Sequence, residues 1–425
     1  MKFLLSHPSV APFVQQVGRA LWEANMMDKF ATTLTDYPDA NWRKIICQLA
    51  KTIDIDLEPQ LQRRAIKEFP LELVVNNPWG ELAGLIARKL DRDGSFSDFV
   101  WEKTELGWYS NWVADVLKKS GRNINAVYGY ECCSLQIFQA AKHLNIFKVY
   151  DVPAPEHDFV HQILQNELDK FPELLTPYRE KVKRKHEKRT KLRRDEWNLA
   201  NLVIANSEFT KSSYQTAGLD ISKIAVVPYG APPPRIDGVL GGMPIGEPIH
   251  FLWAGTFSIR KGAHYLLEAW KQLNPANASL QVLGAMGLPE KLLQNLPESI
   301  TISGTVPRSQ LYEIYHQSDV FVFPTLCDGF GMVVTEAFAQ GLPVIATDRA
   351  GASDLIQHGK NGFIIPAGDA LALAEIMEWC ISHRQEVKCM RQAALDTAAK
   401  WQWSDYRAKL IESINDGFQK SGYAT

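Results

Sequence analysis

Thirteen short runs rich in β-branched and aromatic residues alternate with longer helical patterns, and this alternation restricts the possible folds more than any other feature. Most of these runs are apolar over nearly their whole length, as expected for parallel strands that crossover helices cover on both faces. We therefore predict an α/β protein with two Rossmann-like, doubly wound parallel sheets. The predicted strands are KFLLS (2–6), FATTLT (30–35), LELVVNN (71–77), AVYGY (126–130), FKVYDVP (147–153), NLVIANS (201–207), KIAVVPYG (223–230), IHFLWAG (249–255), SLQVLGA (279–285), SITISG (299–304), DVFVFP (319–324), PVIATD (343–348) and GFIIPA (362–367).

A segment rich in proline and glycine, GAPPPRIDGVLGGMPIGEP (230–248), separates the first seven predicted strands from the last six. We predict a first domain at 1–232, a linker at 233–248 and a second domain at 249–400. The tail at 401–425 is expected to form a closing helix that packs back on the first domain. The cleft between the two sheets, at the carboxyl ends of their strands, is the expected ligand site.

Charge and apolar patterning exclude several classes of protein. The formal net charge of −2 provides no global field that would attract nucleic acid. No run of about 18 apolar residues predicts a membrane-spanning helix, and the apolar run in MKFLLSHPSV is too short for a signal peptide. The six cysteines form no C-x-x-C pair, and we interpret them as free thiols in a reducing compartment. A cytoplasmic location is therefore expected.

The stretch DGFGMVVTEAFAQG (328–341) carries two acids, Asp328 and Glu336, between two apolar runs. A helix is predicted to begin near Met332, and its first amides, which lack intrahelical partners, form an anion site beside Gly331. Glu336 lies one turn into that helix. A ligand that carries both phosphates and vicinal hydroxyls would use the amides and the two carboxylates. The alternative is structural, with Glu336 in a salt bridge and Asp328 capping the turn.

A second loop, in GTFSIRKGAHYLLEAW (255–270), follows a predicted strand and places Arg260 next to Lys261. At the carboxyl edge of the sheet this pair can neutralise a diphosphate, because arginine binds it with two hydrogen bonds and lysine acts as a point charge. An exposed basic pair alone is common and carries little information. The acidic loop in the same domain favours the binding interpretation.

Together the two loops resemble the donor domain of family 4 glycosyltransferases, which have the GT-B architecture. The family pattern is E-x-F-G-x-x-x-x-E-A-x-A-x-G-x-P-V-I-A, and this chain reads D-G-F-G-M-V-V-T-E-A-F-A-Q-G-L-P-V-I-A, with Asp328 at the first acid. Lys261 matches the family's K-G motif, whereas Thr256 stands where the family often has arginine. The resemblance covers nearly all of residues 198–415 and is weak over residues 1–190, where acceptors are chosen.

The resemblance implies a retaining glycosyltransferase that uses a nucleotide-diphosphate sugar, a UDP- or GDP-sugar, as co-substrate. It also implies that neither a metal ion nor a permanently bound cofactor is needed. By family role, Glu336 holds the ribose and Asp328 holds hydroxyls of the donor sugar. Lys261, with Arg260, holds the diphosphate. The remaining donor-binding positions are Gly255, Thr256, Val306, Gly329, Phe330, Gly331, Met332 and Val333.

The acceptor is left open as a glycan, a lipid-linked glycan or a small molecule, with polysaccharide biosynthesis as the expected context. Two other functions fit the same fold. One is a catalytically inactive module that binds a nucleotide or a glycan. The other is a nucleotide-sugar epimerase, which would require an acid and a base in the first domain.

Weaker signals lie in the first domain. His157 is one candidate to face the anomeric carbon of the donor sugar, and Asp151 is an equal candidate; an ordinary surface histidine is the alternative. Two D-x-D triplets, at 54–56 and 91–93, spell a metal–nucleotide motif of another glycosyltransferase architecture, and we interpret them as chance.

A basic run, YREKVKRKHEKRTKLRRDEW (178–197), holds ten lysines and arginines between Arg179 and Arg194. A solvated helix is one interpretation. Peripheral contact with an anionic membrane, on its inner face, or with a lipid diphosphate acceptor is the other. Nucleic acid is disfavoured because no aromatic residues are interleaved with the cations.

Overall fold

The computed structural model describes residues 1–37, 41–52, 58–90, 107–235 and 248–423, and it contains two parallel sheets. The first has seven strands in the order β3-β2-β1-β4-β5-β6-β7, and the second has six in the order β10-β9-β8-β11-β12-β13. The strands are β1 Phe3–Ser6, β2 Met27–Thr32, β3 Val74–Asn76, β4 Ala126–Tyr130, β5 Phe147–Val152, β6 Leu202–Ala205, β7 Ile224–Val226, β8 Ile249–Ala254, β9 Ala278–Leu283, β10 Ile300–Ile302, β11 Val320–Phe323, β12 Val344–Thr347 and β13 Gly362–Ile365.

Helices cover the two sheets, and most connect one parallel strand to the next. In the described part of the chain they are α1 Pro12–Glu23, α2 Asn41–Thr52, α3 Glu58–Gln62, α4 Trp79–Leu90, α5 Tyr109–Lys119, α6 Leu135–His143, α7 His157–Lys170, α8 Pro177–Arg184, α9 His186–Leu199, α10 Glu208–Thr216, α11 Ala263–Leu273, α12 Arg308–Gln317, α13 Met332–Ala339, α14 Ala370–Ser382, α15 Arg384–Lys400 and α16 Trp403–Lys420.

The predicted fold class is confirmed, and every predicted strand overlaps a strand of the structure. The largest difference in position is at β2, which begins at Met27 because that residue pairs with Phe3 of β1. β3 is shorter than predicted, since Leu71–Leu73 forms a turn of 3₁₀ helix directly before it. Where a strand begins is therefore decided by pairing with neighbouring strands and by adjacent turns, rather than by the apolar pattern alone.

Each sheet reverses its strand order once, between β1 and β4 in the first domain and between β8 and β11 in the second. Loops that leave the carboxyl ends of two such neighbouring strands diverge to opposite faces of the sheet and open a crevice between them. In the second domain these are the loop after β8, which carries Arg260 and Lys261, and the loop after β11, which carries Asp328. The topology therefore places both predicted motifs at one crevice.

The chain crosses between the domains twice. The first crossing contains residues 236–247, which, like the D-x-D triplets at 54–56 and 91–93, lie outside the described residues. At the second crossing, α16 returns to the first domain, where Arg407 pairs with Glu23 of α1 at 3.0 Å. The rings of Phe418 and Phe147 also meet edge to face.

Direct contacts join the two domains. The carbonyl oxygen of Gly329 accepts hydrogen bonds from Ser207 Oγ at 2.5 Å and Thr210 Oγ1 at 3.2 Å. Leu164 and Leu174 of the first domain belong to the apolar cluster of the second domain. Within the described residues, no helix is long and apolar enough to cross a membrane.

Candidate functional site

The crevice of the second domain brings the predicted cations against the predicted acid. The ammonium group of Lys261 donates a hydrogen bond to Asp328 and pairs with its carboxylate. Arg260 lies farther away, with 3.9 Å between its Nη2 and Asp328 Oδ1. The two loops can approach this closely because Gly262 has no side chain: a Cβ there would lie 1.7 Å from the carbonyl oxygen of Pro324.

The electrostatics of the pair keep the carboxylate ionised. Burial of Asp328 acts to raise its pKa, but the positive charges of Lys261 and Arg260 and the hydrogen bond from Lys261 outweigh it. The pKa of Asp328 is therefore lowered from its ordinary value. An ionised carboxylate accepts hydrogen bonds only, so a bound sugar would have to donate hydroxyl protons to it.

Helix α13 presents its first turn and Glu336 on one face. Met332, Val333 and Glu336 are half-buried, whereas the helix residues around them are mostly buried. Gly331 is the N-cap and has a left-handed backbone with φ of 88°. The amides at this end have no intrahelical acceptor and carry the positive end of the helix dipole. The helix thus exposes an anion-binding end and a carboxylate on the same side.

Gly329 and Phe330 lie where the loop after β11 touches the first domain. A Cβ on Gly329 would lie 2.5 Å from the carbonyl oxygen of Pro153, so only glycine allows this approach. Phe330 is buried, and its ring packs edge to face on Tyr229 at 5.4 Å. The phenyl ring of Phe330 is therefore a packing element at the domain junction, a role that the sequence did not predict.

The other predicted donor-binding positions lie on neighbouring loops. Gly255 and Thr256 are exposed directly after β8. Val306 is half-buried beyond the end of β10. The amide of Gly284 donates to the carbonyl oxygen of Gly304 at 2.6 Å, which ties the loop after β9 to the loop that leads to Val306. These positions lie along the carboxyl edge of the second sheet.

The first domain contributes a carboxylate that the sequence analysis missed. Glu131 follows β4 directly, accepts a hydrogen bond from Tyr214 at 2.5 Å and lies 3.7 Å from Arg193 Nε. Burial raises its pKa, against the positive charges of Arg193 and of Arg260 on the other domain. Glu131 is therefore a partly buried carboxylate held at the carboxyl end of β4, and its place directly after the predicted strand AVYGY was the available signal.

His157 is held by neighbouring side chains at the start of α7. Its Nδ1 shares a hydrogen bond of 2.8 Å with Thr190 Oγ1, and its ring stacks on His186 with 4.9 Å between centroids. Burial and then the charge of Arg193 lower the pKa of His157 to about 3. The imidazole is therefore neutral over the physiological range.

Asp151 is buried within the first domain at the end of β5. Tyr128 donates a hydrogen bond to its carboxyl group at 2.5 Å. Burial raises the pKa of Asp151 to about 7. Among the described residues, neither Asp151 nor His157 hydrogen-bonds or ion-pairs with Lys261 or Asp328.

The basic run forms α8 and α9, and part of it is packed rather than solvated. In α9, Thr190, Glu196 and Trp197 are buried. Glu196 accepts hydrogen bonds from the backbone amides of Cys132 and Ser134, and so caps the entry to α6. The side chains thus divide between a packed face and an exposed face. In the part of the chain that the structure describes, no three His, Cys, Asp or Glu side chains are placed to hold a metal ion.

Comparison with known proteins gives a family match over the second domain. Residues 248–383 match the family described as Glycosyl transferases group 1. The chain is 25% identical over 233 residues to a D-inositol 3-phosphate glycosyltransferase of Xylanimonas cellulosilytica, which covers 50% of this chain and 55% of that protein. It is 28% identical over 188 residues to a putative colanic acid biosynthesis glycosyltransferase of Salmonella typhimurium, covering 41% and 46%. The chain spans about half the length of the curated relatives it matches.

A solved structure extends the likeness to the whole fold. The Anabaena protein HepE, in complex with UDP, superposes with a TM-score of 0.61 over 98% of this chain and 100% of that chain. The sequence identity is 17%, so this likeness concerns the fold alone.

Proposed function

The chain carries a glycosyl transferases group 1 domain at residues 248–383 within a GT-B fold, and from this premise we propose a retaining transfer of sugar from a nucleotide-diphosphate donor. The observation that carries the proposal is the convergence of Lys261, Arg260 and Asp328 at one crevice. The amino end of α13 lies in the same donor loop. Phosphates and a developing negative charge can bind the cations and the helix amides there, and vicinal hydroxyls can bind the carboxylates.

Different groups of the protein bind the diphosphate, the sugar and the ribose of the donor. The diphosphate accepts hydrogen bonds from the amides at the start of α13 and from the side chains of Lys261 and Arg260. Asp328 accepts hydrogen bonds from hydroxyls of the sugar, and Glu336 accepts them from the ribose. In the free protein Asp328 holds the ammonium group of Lys261 in the crevice, so the cation is already in place when the donor arrives.

The cations act mainly on the departure of the nucleoside diphosphate. As the bond to the anomeric carbon breaks, negative charge grows on the diphosphate and the sugar becomes oxocarbenium-like. Fixed positive charges and amides that meet this growing charge lower the barrier, and this is usually the largest single catalytic contribution. The carboxylates at 328 and 336 are binding groups in this proposal, unlike the paired acid and base of a hydrolase.

Metal independence is part of the proposal, since Lys261, Arg260 and helix amides supply the charge that a divalent ion would otherwise supply. Activity should persist in excess chelator. Loss of activity in chelator, with recovery on addition of manganese or magnesium, would show that the cations are insufficient.

Nucleotide preference can be measured without knowing the acceptor. UDP is the first nucleotide to test, because the Anabaena neighbour is described in complex with it. Melting curves with UDP, GDP, ADP and dTDP, and with their sugars, should identify one base, since a ligand at about 100 times its Kd stabilises by roughly 2.7 kcal/mol.

Slow hydrolysis of the matching nucleotide sugar then separates a transferase from an inactive binding module. A protein that binds the nucleotide sugar but releases no nucleoside diphosphate would contradict catalysis. A protein stabilised by none of these nucleotides would contradict the proposed donor.

A further inference from the structure

Helices α7 and α8 and the connection between them line a groove of about 810 Å³ beside the domain junction. This volume is within the range of small-molecule sites, roughly 300–1,000 Å³. The groove is open to solvent along one side and mainly apolar. Its apolar lining consists of Val160, Leu164, Leu168, Pro172, Leu175 and Val182. Leu175 is 45% exposed there, so the groove offers apolar surface that no described part of the chain covers.

Three cations of the basic run line the same groove: Arg179, Lys183 and Arg184. Two exposed acids, Asp169 and Glu180, lie on the same rim. Charged and apolar side chains therefore line the same groove. Such a combination suits a ligand with an apolar chain and an anionic head.

Arg179 shows where the anionic head belongs. Its guanidinium is half-buried, and among the described residues it forms no ion pair with an acid. Burial lowers the pKa of Arg179, and the positive charge of Arg260 across the domain junction lowers it further. Arg260 already has the carboxylate of Asp328 at 3.9 Å, whereas Arg179 pairs with no acid among the described residues, so Arg179 gains more from a bound anion.

We propose that this groove binds the acceptor, and that the acceptor is a single-chain amphiphile whose phosphate or diphosphate meets Arg179 while its hydrocarbon chain lies along α7 and α8. The inference rests on the proposed function, because Tyr265, four residues after Lys261, donates a hydrogen bond to Glu167 of α7 at 2.5 Å, so the groove along α7 lies beside the loop that carries Arg260. It assigns a substrate class to the first domain, whose sequence resembles the family only weakly.

A membrane surface fits the same features less well. A flat bilayer meets outward-pointing cations such as Lys191, whose side chain is 80% exposed. It does not reach a half-buried guanidinium such as Arg179, or Leu164, which is 5% exposed at the base of the groove. A single chain that enters the groove reaches both.

The test uses farnesyl phosphate as the probe, with farnesol and inorganic phosphate as the two partial ligands, in calorimetric titrations of the full chain. Farnesyl phosphate should bind, and the partial ligands should bind at least about tenfold more weakly, because each lacks either the charge or the buried hydrocarbon. Arg179→Gln should weaken farnesyl phosphate by about tenfold or more.

Matched variants separate the groove from the surface. Leu175→Ser should weaken farnesyl phosphate, whereas Leu144→Ser, at a leucine that is 47% exposed elsewhere, should not. Lys183→Gln should weaken it more than Lys191→Gln, since only the first lysine lines the groove. Stabilisation by the preferred nucleotide should be unchanged in all four variants.

Three results would overturn the proposal. The first is absence of farnesyl phosphate binding by a folded wild-type protein. The second is equal binding of farnesol, with no effect of Arg179→Gln. The third is sedimentation with phosphatidylglycerol liposomes that Lys183→Gln and Lys191→Gln weaken equally, which would assign the run to a membrane surface. Failure of nucleotide binding alone contradicts the proposed function and leaves the farnesyl phosphate titration as a separate measurement.

Discussion

Asp328 of the second domain and Asp151 of the first are both buried near the carboxyl end of a strand, and their surroundings shift the two pKa values in opposite directions. Asp328 in the second domain is 9% exposed and pairs with Lys261, so its pKa is lowered even though burial alone would raise it. Asp151 in the first domain is 1% exposed and receives a hydrogen bond from Tyr128, so burial raises its pKa to about 7.

The difference shows that burial does not assign a role to a carboxyl group; its partners do. A cation within hydrogen-bond distance keeps a buried carboxylate charged and able to bind polar ligands. A hydroxyl donor compensates burial only in part, and the proton is retained to a higher pH. On this comparison, the ion pair at the crevice of the second domain is in place before the proposed donor binds, whereas Asp151 belongs to the core of the first domain.

The largest expected effect comes from Lys261→Ala. The charge that Lys261 meets grows as the diphosphate leaves, so kcat should fall by about 10²–10³-fold, or ~2.7–4 kcal/mol, as for loss of one donor to a transition-state anion. The apo melting temperature should also fall, because Asp328 would be left buried with only the more distant Arg260. Steady-state kinetics and melting curves measure both effects.

The control for Lys261→Ala is Lys271→Ala, at an exposed lysine of α11 in the same domain. It should change neither kcat nor stability. If Lys261→Ala raised only the KM for the donor, Lys261 would bind ground state and transition state equally, and the assignment of the leaving-group charge to it would be wrong.

Glu336→Gln is expected to have the next largest effect, and on a different constant. In the proposed function it removes a charge-assisted hydrogen bond to the ribose, worth about 1.5–3 kcal/mol, that is present in ground and transition states alike. The loss should therefore appear in the KM for the donor, roughly 10–150-fold, with little change in kcat. Glu375→Gln, at an exposed glutamate of α14, is the control. A variant that unfolds without ligand while its folded fraction binds donor normally would make Glu336 a structural residue.

Arg260→Ala should reduce activity less than either Lys261→Ala or Glu336→Gln. Arg260 is 3.9 Å from Asp328 and its side chain is 32% exposed, so solvent screens its charge more than that of Lys261. We expect a fall in kcat of roughly tenfold, about 1.4 kcal/mol. Thr256 is exposed and stands where family 4 glycosyltransferases often have arginine. Adding Thr256→Arg to Arg260→Ala should therefore restore part of the rate. No recovery would mean that the two positions do not serve the same phosphate.

The smallest effect on activity is expected for Asp151→Asn, which tests the comparison through pH. The folded protein keeps the Asp151 proton up to a pKa of about 7, whereas the unfolded chain loses it near 3.8. Between these values the native state binds more protons, so the free energy of unfolding decreases as pH rises from about 4 to 7. Wild type should therefore lose more stability than Asp151→Asn between pH 4 and 7, as measured by melting curves.

Asp328→Asn is the matched comparison and should behave oppositely. The folded pKa of Asp328 is depressed, so its contribution to stability is present above the ordinary aspartate pKa and is lost as pH falls through the folded value. The difference between wild type and this variant should therefore be constant above about pH 5 and shrink in acid. The same pH profile for both variants would contradict the assigned environments.

Much of the fold was readable from the sequence because a buried parallel strand requires a short apolar run. DVFVFP and PVIATD contain the paired strands β11 and β12. The crevice of the second domain was predictable in part, since Lys261 and Asp328 each follow such a strand, and parallel strands place those ends on one edge. Their direct ion pair was not predictable, because it depends on the strand order β8-β11 and on the close approach at Gly262.

The surroundings of the candidate residues in the first domain were less predictable, because they too depend on contacts between distant segments. His157 and Asp151 were chosen by their place after or within a strand, but sequence position gives no account of what surrounds a side chain. Thr190, which bonds His157, and Tyr128, which bonds Asp151, come from distant segments. Glu131 was missed although it follows a predicted strand, because no neighbouring residue in the sequence distinguishes it from an acidic residue in an ordinary surface turn.

The sequence by itself determined the two parallel sheets, the helix that begins at Met332 with Glu336 in it, and the presence of Arg260, Lys261 and Asp328 in loops of the second domain. These are local properties, since apolar periodicity and loop residues act within one segment. Tertiary structure alone decided that Lys261 pairs with Asp328, that Asp151 is held by Tyr128, and that His157 is held by Thr190. Such partners are far apart along the chain, and the charge of each group depends on burial and on neighbours that only the folded arrangement supplies.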